Sequence, residues 1–303
     1  MSLAAWLPHP ALFWAGVLEG TVLAAVLALT ALGLSLVFGI MRVVNVAHGE
    51  FFMLGAVLAW FCSDLTAGLV GGPPWAGFLV ALAVAPVAVG ALAAAVDWLV
   101  LRRLNHDPEA TIVATIGLLY ILQQAALSLY GPEARPVPAP VDWRIQLPWF
   151  GYPAYKFLVV AAAALLIAGV WLLLTRTRIG LVMRATQSDP ETATAFGIPV
   201  ERVYAGVFAL GAALAALGAV LIVPIRQAHY LMGGEPLLLS FIVVIIGGLG
   251  SLAGTVVAAL LIGLADGIVS TLVDPTLAKI LATLAVAGVL VFRPQGLFGA
   301  RPA

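Results

Sequence analysis

Eight polar or ionisable side chains lie within or beside long apolar runs, where they could carry charge, protons or a polar solute. They are Glu19, Asn45, His48, Glu50, Asp97, Gln123, Gln124 and Asp266. A charged group at the centre of a bilayer costs about 3 kcal/mol, so such groups usually pair with a partner or line a watery path. These residues are therefore the first candidates for a functional site.

Several of these groups also have structural interpretations. Asp97 lies near the basic end of its apolar run, and we expect it to pair there with Arg102 or Arg103. One of the two glutamines is expected to form hydrogen bonds between helices. Segment 45–50 fits both a polar helix cap and a functional element, and Asp266 fits both gating and helix packing.

Motifs of common enzymes are missing from the sequence. The only lysines, Lys156 and Lys279, do not follow a glycine, so there is no GxxxxGK[ST] phosphate loop for ATP hydrolysis. No cluster of Cys and His has metal-ligand spacing, and no GxSxG nucleophile elbow occurs. Nothing therefore supports an enzyme, a metal site or a bound cofactor.

The composition indicates an integral membrane protein. Hydrophobic residues make up 63% of the 303 residues and charged residues only 9%, whereas soluble domains carry about 25% charged residues. Several almost uncharged runs of about 18 or more residues could cross a bilayer as helices. We predict an all-α polytopic membrane helical bundle with about eight to nine spans, forming one transmembrane domain over 1–303. The zero net charge gives no indication of nucleic-acid binding.

Two polar or glycine-rich segments interrupt the predicted spans, one in each half of the chain. Segment 45–50 places an Asn, a His and a Glu directly before an apolar run, and segment 247–251 has three glycines in four residues, which break or kink a helix. Transporters often place the substrate path at paired broken helices. Two further stretches are predicted to be non-helical, namely a turn over 63–75 and an extended loop over 131–155.

Residues 176–204 form an arginine-rich loop with clear helix signals. Ser188 and Asp189 are N-cap residues, Ser188 has capping-box spacing with a later glutamate, and Pro190 suits the first helical position. Gly197 can end the helix in a left-handed conformation, and Pro199 prevents its continuation. We predict a short helix over about 190–196. Such a helix could dock on another subunit or be an ordinary surface turn.

Basic residues in short loops predict the orientation in the membrane. If the 176–204 loop is cytoplasmic, alternating spans place nine of the fourteen basic residues on the same side. They are Arg42, Arg102, Arg103, Arg176, Arg178, Arg184, Arg202, Arg293 and Arg301. With nine spans, the amino terminus lies outside and the carboxyl terminus inside. If the 247–251 break is a re-entrant dip instead, the number of spans falls and the ends can change sides.

Several collinear segments resemble those of branched-chain amino-acid ABC transporter permeases of the LivH type. The strongest match is residues 39–56, GIMRVVNVAHGEFFMLGA. Similar segments are 111–117, 180–185 together with Asp189 and 197–198, 247–251 with the sequence GGLGS, and the ending 292–299, FRPQGLFG. Urea and short-amide permeases of the same superfamily look similar in these segments.

The resemblance implies a permease subunit in the bacterial inner membrane. It implies four kinds of partner: two cytoplasmic ABC ATPase subunits, a second, LivM-like permease, a periplasmic substrate-binding protein and the lipid bilayer. In this interpretation the short helix is a coupling helix moved by the ATPases. The ATPase-coupling candidates are Arg184, Asp189, Pro190, Glu191, Phe196 and Gly197.

For the substrate path, the candidates come from the two interruptions and from the fourth span. They are Asn45, His48, Glu50, Thr115, Gln123, Gly247, Gly248, Gly250 and Ser251. Apolar walls would suit leucine, isoleucine or valine, and backbone exposed at a break could meet the ammonium or carboxylate group.

Three other functions remain open at this point. The first is an ATP-independent secondary transporter or channel, with His48, Glu50 or Asp266 relaying protons. The second is an ABC permease for another solute, such as urea, a short amide or a pentose. The third, a membrane scaffold, has little support because interrupted helices suit a rigid frame poorly.

Overall fold

The computed structural model describes residues 10–293 and 295–298 of the chain, and it is an α-helical bundle. Its helices are α1 (Pro10–Met41), α2 (His48–Val70), α3 (Pro74–Leu99), α4 (Pro108–Tyr130), α5 (Ala154–Arg176), α6 (Arg178–Ser188), α7 (Pro190–Ala195), α8 (Val200–Ile222), α9 (Gly234–Gly247), α10 (Leu252–Leu272) and α11 (Pro275–Phe292). Within this part of the chain, seven helices are long and apolar enough to cross a membrane, and α9 and α11 are shorter apolar helices. The predicted polytopic all-α bundle with broken helices is confirmed. Residues 1–9, 294 and 299–303 of the predicted domain, including Arg301, lie outside the described residues.

The first helix lies at the centre of the bundle and packs against α5, α8, α9 and α10. Its crossing with α10 is very close, because a β-carbon on Gly267 would lie 2.3 Å from the Gly20 Cα and one on Gly263 would lie 2.6 Å from the Ala24 Cα. Small residues allow such backbone approach, which is how helices associate without a hydrophobic driving force in lipid.

Successive long helices alternate in direction, so the bundle has two ends. We call one the α6 face; it contains the end of α1 at Met41, a 3₁₀ turn at Leu101–Leu104, and helices α6 and α7. We call the other the hairpin face, because loop 131–153 carries a two-stranded antiparallel hairpin there, β1 (Arg144–Gln146) and β2 (Gly151–Pro153). The sequence prediction of an extended loop did not include this pairing.

The chain folds back into the bundle between α1 and α2. Arg42 has φ 57°, which reverses the chain after α1, and residues 42–45 are not helical. The Nε2 atom of His48 then lies 2.9 Å from the Thr30 carbonyl oxygen. Thr30 precedes the end of α1 by about 16 Å of helix, so α2 begins well inside the bundle rather than at its surface. Because α2 continues to Val70, the predicted turn over 63–75 is wrong for most of its length.

The second interruption lies between α9 and α10 at the α6 face. Gly248 and Gly250 have φ values of 101° and 78°, which L side chains rarely adopt. The carbonyls of Ile246 and Gly247, left without helical partners, accept hydrogen bonds from the N–H groups of Leu297 at 2.8 Å and Phe298 at 3.1 Å. The carboxyl-terminal segment therefore closes the break.

Candidate functional site

Helix α7 is capped at both ends by its own sequence. The Oδ1 atom of Asp189 accepts hydrogen bonds at 3.0 Å from the backbone N–H groups of Glu191 and Thr192. The hydrogen bond from the Thr192 hydroxyl, followed by those from the backbone, holds the pKa of Asp189 below its usual value. Gly197 follows the helix with φ 82°, as expected for a left-handed end.

The capping box predicted at Ser188 does not form. Ser188 is the last residue of α6, and its hydroxyl donates at 3.0 Å to the Arg184 carbonyl oxygen. Asp189 alone caps α7. Ser188 is still in the helical conformation of α6, whereas Asp189 has the extended backbone of an N-cap residue. The Arg184 guanidinium donates to the Leu174 carbonyl oxygen, so this arginine ties α6 to the end of α5.

The outer surface of α7 presents an aromatic side chain at the α6 face. Phe196 is 83% exposed, whereas Ala193 on the other side of the helix is buried against the protein. Pro190 is the first residue of α7, and Glu191 in its first turn is exposed. The six predicted coupling residues thus lie on or beside two consecutive helices at one end of the bundle.

Helix α6 connects this surface to both interruptions. The guanidinium of Arg42, at the first interruption, reaches the Gln187 carbonyl oxygen at 3.5 Å. A β-carbon on Gly39 would lie 3.3 Å from the Gln187 amide nitrogen, and one on Gly250 would lie 3.4 Å from it. The backbones at Gly39 and Gly250 also approach closely. A β-carbon added to either glycine would lie 2.8 Å from the Cα of the other. Helix α6 therefore contacts both the end of α1 and the α9–α10 break.

The first interruption forms a buried polar cluster with α4. Lipid offers no hydrogen-bond partners to the backbone N–H and C=O groups of this non-helical segment, so protein groups must provide them. The hydroxyl of Thr115 accepts a hydrogen bond at 3.2 Å from the Val46 N–H, and the side-chain oxygen of Asn45 accepts one at 3.0 Å from the Ala47 N–H. Asn45 and Thr115 are at most 1% exposed. These two predicted path residues thus support the fold of the interruption.

His48 and Glu50 continue the cluster within the first turn of α2. The Glu50 carboxylate accepts a hydrogen bond at 2.9 Å from the Gln123 amide, and both His48 and Glu50 are buried. Among the described residues, the second oxygen of Glu50 and the Nδ1 atom of His48 have no hydrogen-bond partner. Gln123 thus fulfils the expected role of a hydrogen-bond partner between helices.

The predicted path residues fall into two groups. Asn45, His48, Glu50, Thr115 and Gln123 form the cluster just described. Gly247, Gly248, Gly250 and Ser251 lie at the other end of α9, a helix that begins beside Gly49 and is about 20 Å long. Ser251 caps α10 by accepting from the Gly254 N–H at 3.2 Å.

Both interruptions nevertheless border one small apolar cavity of about 200 Å³. Val44 lines it from the first interruption and Leu249 from the second. The cavity lies between α1 and α9, in the half of the bundle that leads to the α6 face.

A larger cavity of about 510 Å³ opens on the other half of the bundle. Its charged or ionisable lining residues are Glu19, Arg226, His229, Glu235, Asp266 and Lys279. Its apolar lining includes Val26, Phe52 and Leu239, and Thr30 also lines it. None of the nine predicted path residues lines this cavity.

Sequence reasoning missed most of the charged residues of this cavity. It identified Glu19 and Asp266 but named none of Arg226, His229, Glu235 and Lys279 as candidate site residues. One signal in the sequence could have identified two of them. Glu235 and Lys279 lie in the apolar helices α9 and α11, and ionisable residues in such helices usually have a functional role.

Asp97 has a different partner from the one expected. Its carboxylate lies 2.9 Å from the His106 ring, while Arg102 forms a 2.5 Å ion pair with Glu201 at the start of α8. The 3₁₀ turn after α3 brings His106 back over Asp97, which the spacing of the residues does not predict. Within the described residues, no group of three His, Cys, Asp or Glu side chains could hold a metal ion.

Comparison with known proteins gives a consistent result over nearly the whole chain. Residues 16–292 match the family described as branched-chain amino acid transport system, permease component. The chain is 27% identical to a high-affinity branched-chain amino acid transport system permease protein, BraD, of Pseudomonas aeruginosa, over 93% of this chain and 94% of the relative.

Two further relatives carry the name LivH. One, from Methanocaldococcus jannaschii, is a probable branched-chain amino acid transport permease and is 26% identical over 93% of this chain and 92% of its own. The other, from Escherichia coli, is a high-affinity branched-chain amino acid transport system permease and is 25% identical over 93% of this chain and 94% of its own. No solved structure matches the chain significantly.

Proposed function

Because the chain belongs to the family of branched-chain amino acid transport permeases, we propose that it is the membrane-spanning subunit of an ATP-binding-cassette importer in the bacterial inner membrane. Its substrates are branched-chain amino acids, and separate subunits hydrolyse the ATP. The observation that carries this proposal is the contact of α6 with both interruptions of the bundle, next to the exposed surface of α7.

Two cytoplasmic ATPase subunits are proposed to serve the importer, and α7 is the surface on which one of them docks. Phe196 provides an apolar anchor, and the exposed Glu191 and Asp189 provide polar contacts around it. This places the α6 face in the cytoplasm. The arginines of that face support the orientation, because short cytoplasmic loops are enriched in Lys and Arg.

The force of ATP-driven closure passes through α6. Arg184 holds α6 against α5, and Gln187 rests on the Gly39–Gly250 crossing. A shift of α6 then changes the packing between the end of α1 and the α9–α10 break. Such a shift favours the outward-open or the inward-open state only through contacts that differ between the two states.

The remaining partners follow from the importer architecture. A periplasmic binding protein delivers the amino acid to the hairpin face, and a second, LivM-like permease completes the membrane domain. The substrate moves from the larger cavity past the polar cluster to the small apolar cavity. Asn45, His48, Glu50, Thr115 and Gln123 are the polar residues of the middle section, and the 247–251 break is the exit.

Uptake measurements on the assembled complex test this function. Proteoliposomes containing both permeases and both ATPases should take up leucine only with ATP and the binding protein present. Uptake that persists without ATPase subunits under a pH gradient would instead indicate a secondary transporter. Transport of urea or a short amide in preference to leucine would support the alternative substrate class.

A further inference from the structure

The larger cavity has a polar part and an apolar part. Arg226, Glu235, Asp266 and Lys279 line it on the side formed by α9, α10, α11 and the α8–α9 connection. Its apolar lining includes Val22, Val26 and Leu27 of α1, Phe52 of α2 and Leu239 of α9, which we call the apolar wall. Its volume of about 510 Å³ lies in the usual range for small-molecule sites, about 300–1,000 Å³.

Three charged residues of the cavity, Arg226, Glu235 and Lys279, form one ion-paired group with an excess of one positive charge. Glu235 lies between two cations, with its carboxylate oxygens 3.0 Å from the Arg226 guanidinium and 3.1 Å from the Lys279 ammonium. One carboxylate cannot neutralise two cations. Burial, and then the Arg226 charge, lower the pKa of the nearby His229 ring, which favours its neutral form.

A negative group stands beside these cations. Asp266 belongs to no ion pair among the described residues, and its recorded hydrogen bond is a long one, 3.4 Å from the Ser270 hydroxyl. Glu19, by contrast, is paired with Lys156. The two cations, Glu235 and Asp266 sum to zero charge, but among the described residues only Glu235 forms ion pairs with the cations.

We propose that this cavity binds one zwitterionic amino acid, with its ammonium group on Asp266, its carboxylate on Arg226 and Lys279, and its side chain on the apolar wall. The assignment rests on the proposed function and makes it more specific. A neutral solute such as urea would leave both the charge excess and the apolar wall unused, and unpaired buried polar groups lower affinity.

The floor of the cavity connects it with the polar cluster. Thr30 lines the cavity, and its carbonyl oxygen is the group that lies 2.9 Å from the His48 ring. Phe52, which follows His48 by one helical turn in α2, belongs to the apolar wall of the cavity. An amino acid bound here therefore rests one residue layer from the interruption between α1 and α2.

Binding to the intact complex tests the assignment. Both permeases with both ATPases are placed in nanodiscs of phosphatidylglycerol, which offers no zwitterionic headgroup to compete, without nucleotide or binding protein. Radiolabelled L-leucine should bind, and Asp266→Asn should weaken that binding about tenfold or more. Asp266→Glu should restore part of it. Asp64→Asn is the matched control, because Asp64 is an exposed carboxylate outside the cavity.

Two leucine analogues separate charge recognition from a general packing defect. Asp266→Asn should lose the preference for leucine over 4-methylpentanoate, which lacks the ammonium group. Arg226→Gln combined with Lys279→Gln should lose the preference for leucine over isopentylamine, which lacks the carboxylate. A variant that is merely misfolded would lose all ligands together and would fail size-exclusion chromatography.

The possible results distinguish this inference from the function on which it rests. If the complex carries out ATP-driven leucine uptake but binds no leucine in nanodiscs, or binds it equally well with Asp266→Asn, the cavity assignment is wrong and the importer remains. Leucine binding that appears only in zwitterionic phospholipid would also overturn the assignment. If the complex shows no ATP-driven leucine uptake at all, the proposed function itself is wrong.

Discussion

Truncating Phe196 to alanine should weaken the docking of the ATPase without disturbing the permease. Full burial of a phenylalanine side chain contributes about 1.5–3 kcal/mol. Phe196 is 83% exposed in the isolated chain, so nearly all of this contribution is available to a partner. We therefore expect Phe196→Ala to cost about 2 kcal/mol of association free energy, or about a 30-fold weaker affinity.

The assay is the equilibrium binding of purified ATPase subunits to the permease pair in nanodiscs, followed by ATP-driven leucine uptake at limiting ATPase concentration. Phe292→Ala is the matched control, because Phe292 is an equally exposed phenylalanine, 85%, at the end of α11 rather than on the α7 surface. The melting temperature of Phe196→Ala should equal that of the wild type. Phe196→Asp should uncouple uptake from ATP hydrolysis.

Two results would refute this reasoning. Unchanged ATPase affinity and uptake with Phe196→Ala would mean that the side chain is not buried on docking. An equal loss with Phe292→Ala would mean that exposed aromatic area in general, and not α7, determines the association.

Three further predictions concern packing, the polar cluster and the cap of α7. Gly267→Leu adds a side chain where a β-carbon would already lie 2.3 Å from the backbone of α1, so we expect about 3 kcal/mol of destabilisation. Scanning fluorimetry should show a lower melting temperature, whereas Gly117→Leu, which meets open space, should not change it. Gln123→Leu removes the recorded hydrogen bond to Glu50 and should cost about 2 kcal/mol, and an unchanged denaturation midpoint would contradict this. Asp189→Ala removes the cap of α7, so hydrogen exchange of residues 190–195 should become faster; equal protection would show that the cap contributes little.

The membrane spans were predictable from the sequence because hydropathy and length alone define them. The predicted count of about eight to nine spans agrees with the seven long and two shorter apolar helices of the described residues. The predicted turn over 63–75 began too early, because α2 continues through Ser63 and Asp64 to Val70. The Ser63 side chain is buried, and Gly77 of α3 approaches its backbone, with a would-be β-carbon 2.8 Å from the Ser63 Cα. A helix interface thus accommodates what looked like a loop.

The depth of the first interruption was not predictable. Segment 45–50 was recognised as unusual, yet nothing local indicates that it lies beside Thr30 and α4. That position depends on the left-handed Arg42 and on close approach between Gly49 and the Gly233 carbonyl, 2.4 Å from a would-be β-carbon. Such contacts join residues far apart in the sequence, and a single sequence on its own gives no information on them.

The α7 helix and the larger cavity show the same contrast. The cap at Asp189 and the end at Gly197 are local signals, so the position and length of α7 were predicted to within one residue. The charged residues of the cavity come from α1, α9, α10, α11 and one connection. Only the folded chain brings them together.

Photocrosslinking from position 196 tests most directly whether α7 receives force from an ATPase. A benzophenone amino acid replaces Phe196 in the assembled complex. Membranes containing the complex are irradiated with and without ATP, and the crosslinked proteins are then separated by mass. We expect an adduct with an ATPase subunit, and its yield should change when nucleotide is added. An adduct with the periplasmic binding protein, or none with any other subunit, would contradict it.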